Sequence, residues 1–495
     1  MLKKIASNTF AQILSKVGTA IISIFLISIL TNYLTIELYG LYLKIYNYIW
    51  IFVFLADLGL YTIAIREISA NKSDTKKIVW NIMSLRLFLW ILIFILAIGL
   101  AFFLPGYNSD IALWSISIVS IFTLFQLLNS SVLTLMQANM KIEFSLFSAI
   151  FWKLVNLWLV AAIATLWFTK WSGDFDYFEP FLWIIWASVA AIFVNTLLNY
   201  WYARKIEKFG FAFDWEYIKY IIRISLPYWI ALFLSVVYFK VDIILLSLMD
   251  PLWDKSVALY SLPMKIVEVI MVLWGFYLNS VLPTLTTCFE EKNIEKFNKY
   301  IQLSFHALLS WWMLIFVLWV LFRDYLIEII ANNDYLDPNL VYNSSDAFLV
   351  VFAVVLFNFI SLVFIYALIA TKNQSKLLKI NIIVTLVNII WNIILIPYLS
   401  FIWAGIVTLL SQILLMILGY YYTNKIIDFQ IPWKLIIRNI ILCIVMLSWG
   451  YYILSSYPVG LYFDVLIYWT AIFLIYWWII ALDIKKSLIV TKKRA

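Results

Sequence analysis

Polar residues interrupt this chain at intervals of about two dozen positions. Between the breaks the sequence stays apolar for whole stretches, as in Trp90 to Leu104 and Ile382 to Ile396. These runs lack the two-residue alternation of barrel strands, which cross a membrane in about ten residues. They have the length of helices, which need about 20 residues to cross a hydrocarbon core of about 30 Å. Segmentation at the breaks predicts about fourteen spans: 9–31, 41–65, 78–104, 111–136, 146–170, 180–203, 221–248, 257–287, 300–322, 346–370, 379–399, 402–423, 439–455 and 463–482.

A second pattern lies on the first. Leu38-Tyr39-Gly40-Leu41-Tyr42-Leu43-Lys44-Ile45 recurs loosely as Leu259-Tyr260-Ser261-Leu262-Pro263-Met264-Lys265-Ile266, and Leu154-Val155-Asn156 in the fifth span answers Leu386-Val387-Asn388 in the eleventh. The first octet opens the second span; its echo lies near the outer end of the eighth, the second span of a six-helix unit starting again at the seventh. The offset grows from 221 to 232 residues, and the longer outer loop after the ninth span accommodates the insertion. The expected fold is therefore an all-α integral membrane protein of about 14 transmembrane helices in two pseudo-symmetric six-helix lobes. The lobes are 1–210 and 211–430, and 431–495 supplies two C-terminal helices and a basic tail. Parallel repeats of this kind are a known transporter plan.

Composition agrees: 65% of residues are apolar, 19% aromatic and 13% charged, against about half apolar and a quarter charged in soluble domains. The start, Met1-Leu2-Lys3-Lys4 and then apolar residues, imitates a secretion signal. The stretch from Thr9 to Thr31 is too long for one and no small-residue cleavage site follows, so a retained first span is expected.

The charge sets the orientation. Of 35 lysines and arginines, 25 fall in loops on one side of this topology and only Lys170, Lys255 and Arg323 on the other. Both termini are thus expected in the cytoplasm. The net charge of +8 is explained by topology and calls for no nucleic-acid partner. The outer loops are short and acidic and leave no room for a catalytic domain. The chain lacks a P-loop, GxSxG and HExxH, and its lone His306 reads as a packed residue, so neither an enzyme nor a cofactor is expected. Cys288 and Cys443 lie far apart and imply no disulfide framework or zinc site.

Charged side chains within spans are functional candidates, because a cation at a helix centre costs about 2.5–3.5 kcal/mol. Lys16, Arg86, Lys153 and Arg223 lie near cytoplasmic ends, where long side chains can snorkel to the headgroups. Lys44, Lys240 and Lys265 occupy the outer halves of spans 2, 7 and 8, the side from which cations are otherwise excluded. With Asp242 two residues beyond Lys240 and Glu268 three beyond Lys265, two readings stand: local ion pairs, or a cationic substrate cavity. Asp57, the only acid within spans 1 to 6, suits a helix-packing contact or a pair with Arg66 better than proton coupling. Asn129, Asn195, Asn199, Asn279, Asn358, Asn388 and Asn392 suit interhelical hydrogen bonds. The tryptophans and tyrosines read first as interfacial belts; rings inside a cavity would also stack on sugar faces.

Several segments together resemble the O-antigen type of bacterial polysaccharide flippase, within the multidrug/oligosaccharidyl-lipid/polysaccharide exporter superfamily. They are Asn8-Thr9-Phe10-Ala11-Gln12, Tyr33 to Tyr42, Leu55-Ala56-Asp57-Leu58-Gly59-Leu60 with Arg66-Glu67-Ile68, Ser225-Leu226-Pro227, Lys240 to Leu246, Leu259-Tyr260 and Pro283. Lys372-Asn373-Gln374, Pro397 and Gly405 extend the likeness over nearly the whole chain. Asn32 stands where such proteins often carry arginine, and Thr35 where they carry glycine. The resemblance thus supplies no cation at the outer end of span 1.

The resemblance implies helices 1, 2, 7 and 8 around an amphipathic cleft, alternating access, and a substrate of undecaprenyl-diphosphate-linked oligosaccharide moved from the cytoplasmic to the outer leaflet. It further implies the bacterial cytoplasmic (inner) membrane, a role in O-antigen or lipopolysaccharide biosynthesis, and partners among polysaccharide polymerases and other assembly proteins. By position, Lys16, Lys44 and Lys265 match the essential cations of the related lipid II flippases, and Lys240 joins them as a substrate-binding candidate. Asp57, Asp242 and Glu268 are the candidates for coupling or ion pairing. The sequence leaves Na+, H+ and membrane potential equal as driving forces. Two alternatives stand beside the flippase: a cation-coupled drug or metabolite exporter of the same superfamily, and a membrane glycosyltransferase or polymerase.

Overall fold

A computed structural model of the chain describes residues 2–70, 74–139, 141, 143–168, 178–456 and 470. Every regular element among them is helical. In chain order these are α1 (Leu2–Tyr33), α2 (Ile36–Asp57), α3 (Leu60–Ala70), α4 (Thr75–Phe103), α5 (Asp110–Ala138), α6 (Glu143–Ile163), α7 (Phe178–Ala203), α8 (Trp215–Met249), α9 (Asp254–Glu290), α10 (Ile294–Ile330), α11 (Ser344–Ala370), α12 (Gln374–Ile427) and α13 (Trp433–Ser456). A π-helical turn, Ala164–Phe168, extends α6.

Eleven helical segments among the described residues are long and apolar enough to cross a membrane. At 35 and 37 residues, α8 and α9 also have the length, at about 1.5 Å per residue. The helices follow the expected spans 1 to 13 in order; the expected span 463–482 lies outside the described residues.

One expected span is broken, and two expected spans run together as one helix. Span 2 is α2 and α3, separated by Leu58 and Gly59, both in the left-handed region at φ 48° and 68°. Spans 11 and 12 form the one run α12, broken at Ser400 with φ 61° and ψ −167°. That conformation is essentially reserved for glycine and costs on the order of 1–3 kcal/mol in other residues. Ser400 Oγ is held there by a 2.7 Å hydrogen bond to Asp250 Oδ2.

The described residues group into two compact units. One holds the described parts of Met1–Leu273, Ile330–Tyr335 and Asn381–Val407; the other holds those of Trp274–Ile329, Leu336–Ile380 and Thr408–Ala495.

In the first unit α5 packs on α7, α6 on α7 and α1 on α6. Asparagines tie this bundle, as expected from their places in the spans. Asn199 Nδ2 donates to Asn129 Oδ1 at 2.9 Å and Asn195 Oδ1 at 3.1 Å, and Asn199 Oδ1 accepts from Ser148 Oγ at 2.7 Å. In a medium without water each such bond satisfies groups that would otherwise be costly to bury.

The N-terminal end of α2 is fitted against the α8–α9 turn. A Cβ added to Gly40 would lie 1.7 Å from the Asp254 carbonyl oxygen, so only glycine allows this approach. Thr35, where the resemblance led us to look for glycine, is the N-cap of α2 and accepts from Leu38 N. Asn32, in place of arginine, donates to the Ile330 carbonyl at 3.0 Å. At the start of α8, outside the spans, Asp214 caps the helix and pairs with Lys77 at 2.7 Å; that hydrogen bond, with the Tyr217 amide, holds its carboxyl below the usual range.

In the second unit an aromatic core of Trp312, Trp319, Phe348 and Phe352 joins α10 and α11. Two acids anchor helix ends: Asp346 completes a capping box with Asn343, and Asp324 accepts from Ser345. His306 lies 3.5 Å from Arg438, and both cysteines are buried free thiols. Asn358 reaches Gln412 at 3.5 Å, joining α11 to α12.

Candidate functional site

Three of the charged candidates meet. Glu268 on α9 accepts from Lys240 on α8 at 3.1 Å and from Lys265, one turn before it, at 2.8 Å. The i,i+3 pair was expected from spacing. The partner of Lys240 was not: positions two apart on a helix face different ways, so Asp242 cannot reach Lys240, whereas Glu268 on the neighbouring helix can.

Asp242 is instead a buried acceptor, taking 2.8 Å hydrogen bonds from the Tyr260 hydroxyl and the Ile243 amide. It joins α8 to α9 beneath the cluster. Lys240, Lys265 and Glu268 keep 20%, 27% and 41% of their side-chain exposure, so they face open space.

Two ammoniums and one carboxylate leave a net charge of +1. Each ammonium has three donors, and Glu268 takes one from each. Lys153 of α6 stands within electrostatic range of Lys265 and donates to Ser23 of α1 at 3.2 Å, adding a third cation. The sequence reading had placed Lys153 among the snorkelling residues. Tyr39 of α2 lies within electrostatic range of Glu268 and stacks on Tyr42, with centroids 6.3 Å apart. The surroundings are thus a partly exposed cationic cluster with phenol rings at its side, suited chemically to an anion carrying polar groups.

Lys44 does not join this cluster. It is 1% exposed, with Nζ 2.6 Å from Asp254 Oδ1 and 2.9 Å from the Gly106 carbonyl, and it lies over the Tyr107 ring. Lys16 is exposed on α1 and has no ion-pair partner among the described residues.

Asp57 pairs at 2.6 Å with Arg86, not Arg66, whose partner is its neighbour Glu67. Arg86 does not snorkel: it is fully buried, and its guanidinium also donates to Ser131 Oγ at 2.6 Å. A half-buried carboxylate at the end of α2 supplies what the headgroups would otherwise provide.

Sequence reasoning missed Asp250, counting it only as an outer-loop acid. It is 2% exposed and takes hydrogen bonds from the Leu252 amide, Ser256 and Ser400. The Asp250-Pro251 step that ends α8 was the available signal, since a residue before proline leaves the helix and frees its side chain for capping.

The chain matches the family model of the polysaccharide biosynthesis proteins over residues 5–289 and the MatE model over 227–394. No curated protein matches it significantly. Among solved structures it resembles the lipid II flippase MurJ in an inward closed conformation, with TM-score 0.72, 15% identity, and 99% of this chain and 100% of that one covered. It also resembles an inward-facing multidrug resistance MATE family transporter of the MOP superfamily, with TM-score 0.63, 13% identity, and 83% and 98% covered. A MOP superfamily transporter from Pyrococcus furiosus follows with TM-score 0.56, 14% identity, and 85% and 95% covered. At these identities the likenesses establish the fold, and the family model spans more than half of the chain. The chain is a multi-pass membrane protein of the polysaccharide biosynthesis protein family, built on the transporter fold of the MOP superfamily.

Proposed function

We propose that this protein is a flippase that carries undecaprenyl-diphosphate-linked oligosaccharide from the cytoplasmic to the outer leaflet of a bacterial inner membrane by alternating access. The observation that carries the reading is the pair Lys240 and Lys265 sharing the single carboxylate of Glu268, with Lys153 near by. A diphosphate pays a large desolvation penalty in a bilayer. A partly exposed cluster with net positive charge offsets that penalty while hydrated sugars pass, and the polyprenyl tail stays in lipid. The two lobes expected from the internal repeat, 1–210 and 211–430, would supply the two alternating halves, with both termini in the cytoplasm.

Lys44 enters this reading as a structural cation, because its pair with Asp254 leaves it 1% exposed. The match to the MatE model keeps a drug or metabolite exporter as the second reading. The engagement of Asp57 by Arg86 weighs against it, since no uncompensated acid remains in the first six spans to attract a cation. Depletion of the protein in its native host tests the choice. A flippase leaves lipid-linked glycan accumulating on the cytoplasmic face; an exporter leaves surface glycan unchanged and raises sensitivity to a cationic compound.

A further inference from the structure

The helix α2 is surrounded. Along Ile36–Asp57 only Glu37 is exposed, and α4, α5 and α8 all pack on it. Its partly open positions are therefore informative, and apart from Asp57 at its end they are ordered: Leu38, Tyr42, Tyr46, Trp50 and Phe54 recur every fourth residue, with Ile51 and Leu55 beside them. Residues four apart form a continuous ridge on a helix. From position 42 to 54 every member of the ridge is a ring, over about 18 Å at helical rise.

The ridge begins beside the cationic cluster and runs away from it. Tyr42 stacks on Tyr39, which senses Glu268; Tyr42 and Tyr46 centroids are 4.5 Å apart, and those of Trp50 and Phe54 6.1 Å. At the far end α8 adds Trp229, whose indole donates to the Phe54 carbonyl at 2.8 Å.

Resting on the flippase reading above, we infer that this ridge is a sugar-binding track, on which pyranose rings of the diphosphate-linked glycan stack as the diphosphate is held by Lys240 and Lys265. Flat ring faces suit the C–H faces of hexoses, whereas a purely apolar path asks only for aliphatic bulk. Where α4 is exposed, aliphatic Ile91, Leu92, Ile95, Leu96 and Leu100 make up its middle and Phe88, Phe102 and Phe103 its flanks. The ridge also carries hydroxyls: those of Tyr42 and Tyr46 lie together beside Ser188.

The test measures binding to the purified full-length protein in lipid nanodiscs with two soluble probes. One is a short-chain polyprenyl diphosphate carrying the oligosaccharide, and the other is the same lipid diphosphate without sugar. The proteins are wild type, Trp50→Leu, Tyr46→Leu and the aromatic controls Trp50→Phe and Tyr46→Phe. A sugar track gives a roughly tenfold loss of affinity for the glycosylated probe in the leucine variants, of the size expected for lost ring stacking. Affinity for the bare diphosphate stays unchanged, and the phenylalanine variants stay near wild type. Equal losses on both probes, as for a polyprenyl-tail groove, or no loss on either, overturn the track and leave the flippase reading standing. Wild type that binds neither probe overturns both.

Discussion

Lys44 and Asp254 form a 2.6 Å ion pair that joins α2 to the first residue of α9. The lysine that the repeat singled out as half of a substrate-binding pair is bound instead by the protein itself. Gly40 allows the two elements to approach, and the Gly106 carbonyl takes another of the lysine's donors at 2.9 Å. Removing one partner of a buried pair typically costs about 3–5 kcal/mol, and replacing both with apolar groups costs much less. We expect Lys44→Met to lower the melting temperature of the purified protein by several degrees, and Lys44→Met with Asp254→Leu to recover most of it. A single variant with unchanged melting and abolished transport would return Lys44 to the substrate site.

Gly40→Ala tests the same junction from the backbone side. Its Cβ would meet a main-chain oxygen at 1.7 Å, which no rotamer change relieves. The expected outcome is severe destabilisation, read as loss of the monodisperse peak in fluorescence-detected gel filtration. Gly99→Ala is the control, because nothing lies within 4 Å of a Cβ added there.

Arg86 and Asp57 bind the α2–α3 break to α4 through a 2.6 Å pair. Asp57→Leu strands a fully buried guanidinium and is expected to cost about 3–5 kcal/mol. Asp57→Leu with Arg86→Met should be the more stable variant of the two, measured by thermal unfolding. If Asp57→Leu keeps full stability but transport loses its dependence on a proton or sodium gradient, the carboxylate is a coupling group.

Much of this molecule was legible in its sequence. Helical spans, their order and the break near Ser400 follow from hydrophobic runs and their polar interruptions, which membranes enforce strictly. The break at Leu58-Gly59 lies inside the single expected span 41–65 and is set by backbone conformation instead. Individual charges were legible only in part. The Lys265–Glu268 pair follows from helical spacing. The partners of Lys240, Lys44 and Asp57 sit 28, 210 and 29 residues away, respectively, on other helices, and spacing along one helix carries no information about them. Depth also misled: Arg86 lies within a few turns of a helix end, where snorkelling was expected, yet a carboxylate on the neighbouring helix end holds it inside.

Glu268→Gln removes the carboxylate that Lys240 and Lys265 share and raises the net charge of the cluster by one. We expect tighter binding of the bare lipid diphosphate, by about tenfold or more, together with slower turnover as release becomes harder. Weaker binding would mean that Glu268 serves to position the lysines.

Transport in proteoliposomes tests the central claim most directly. Lipid-diphosphate oligosaccharide is loaded on one face, and its appearance on the other is read by lectin capture, for wild type and for Lys240→Gln with Lys265→Gln. We expect wild type to move the glycan, and the double variant to lose at least ten-fold in rate with unchanged melting temperature. A double variant that flips at the wild-type rate would contradict the account.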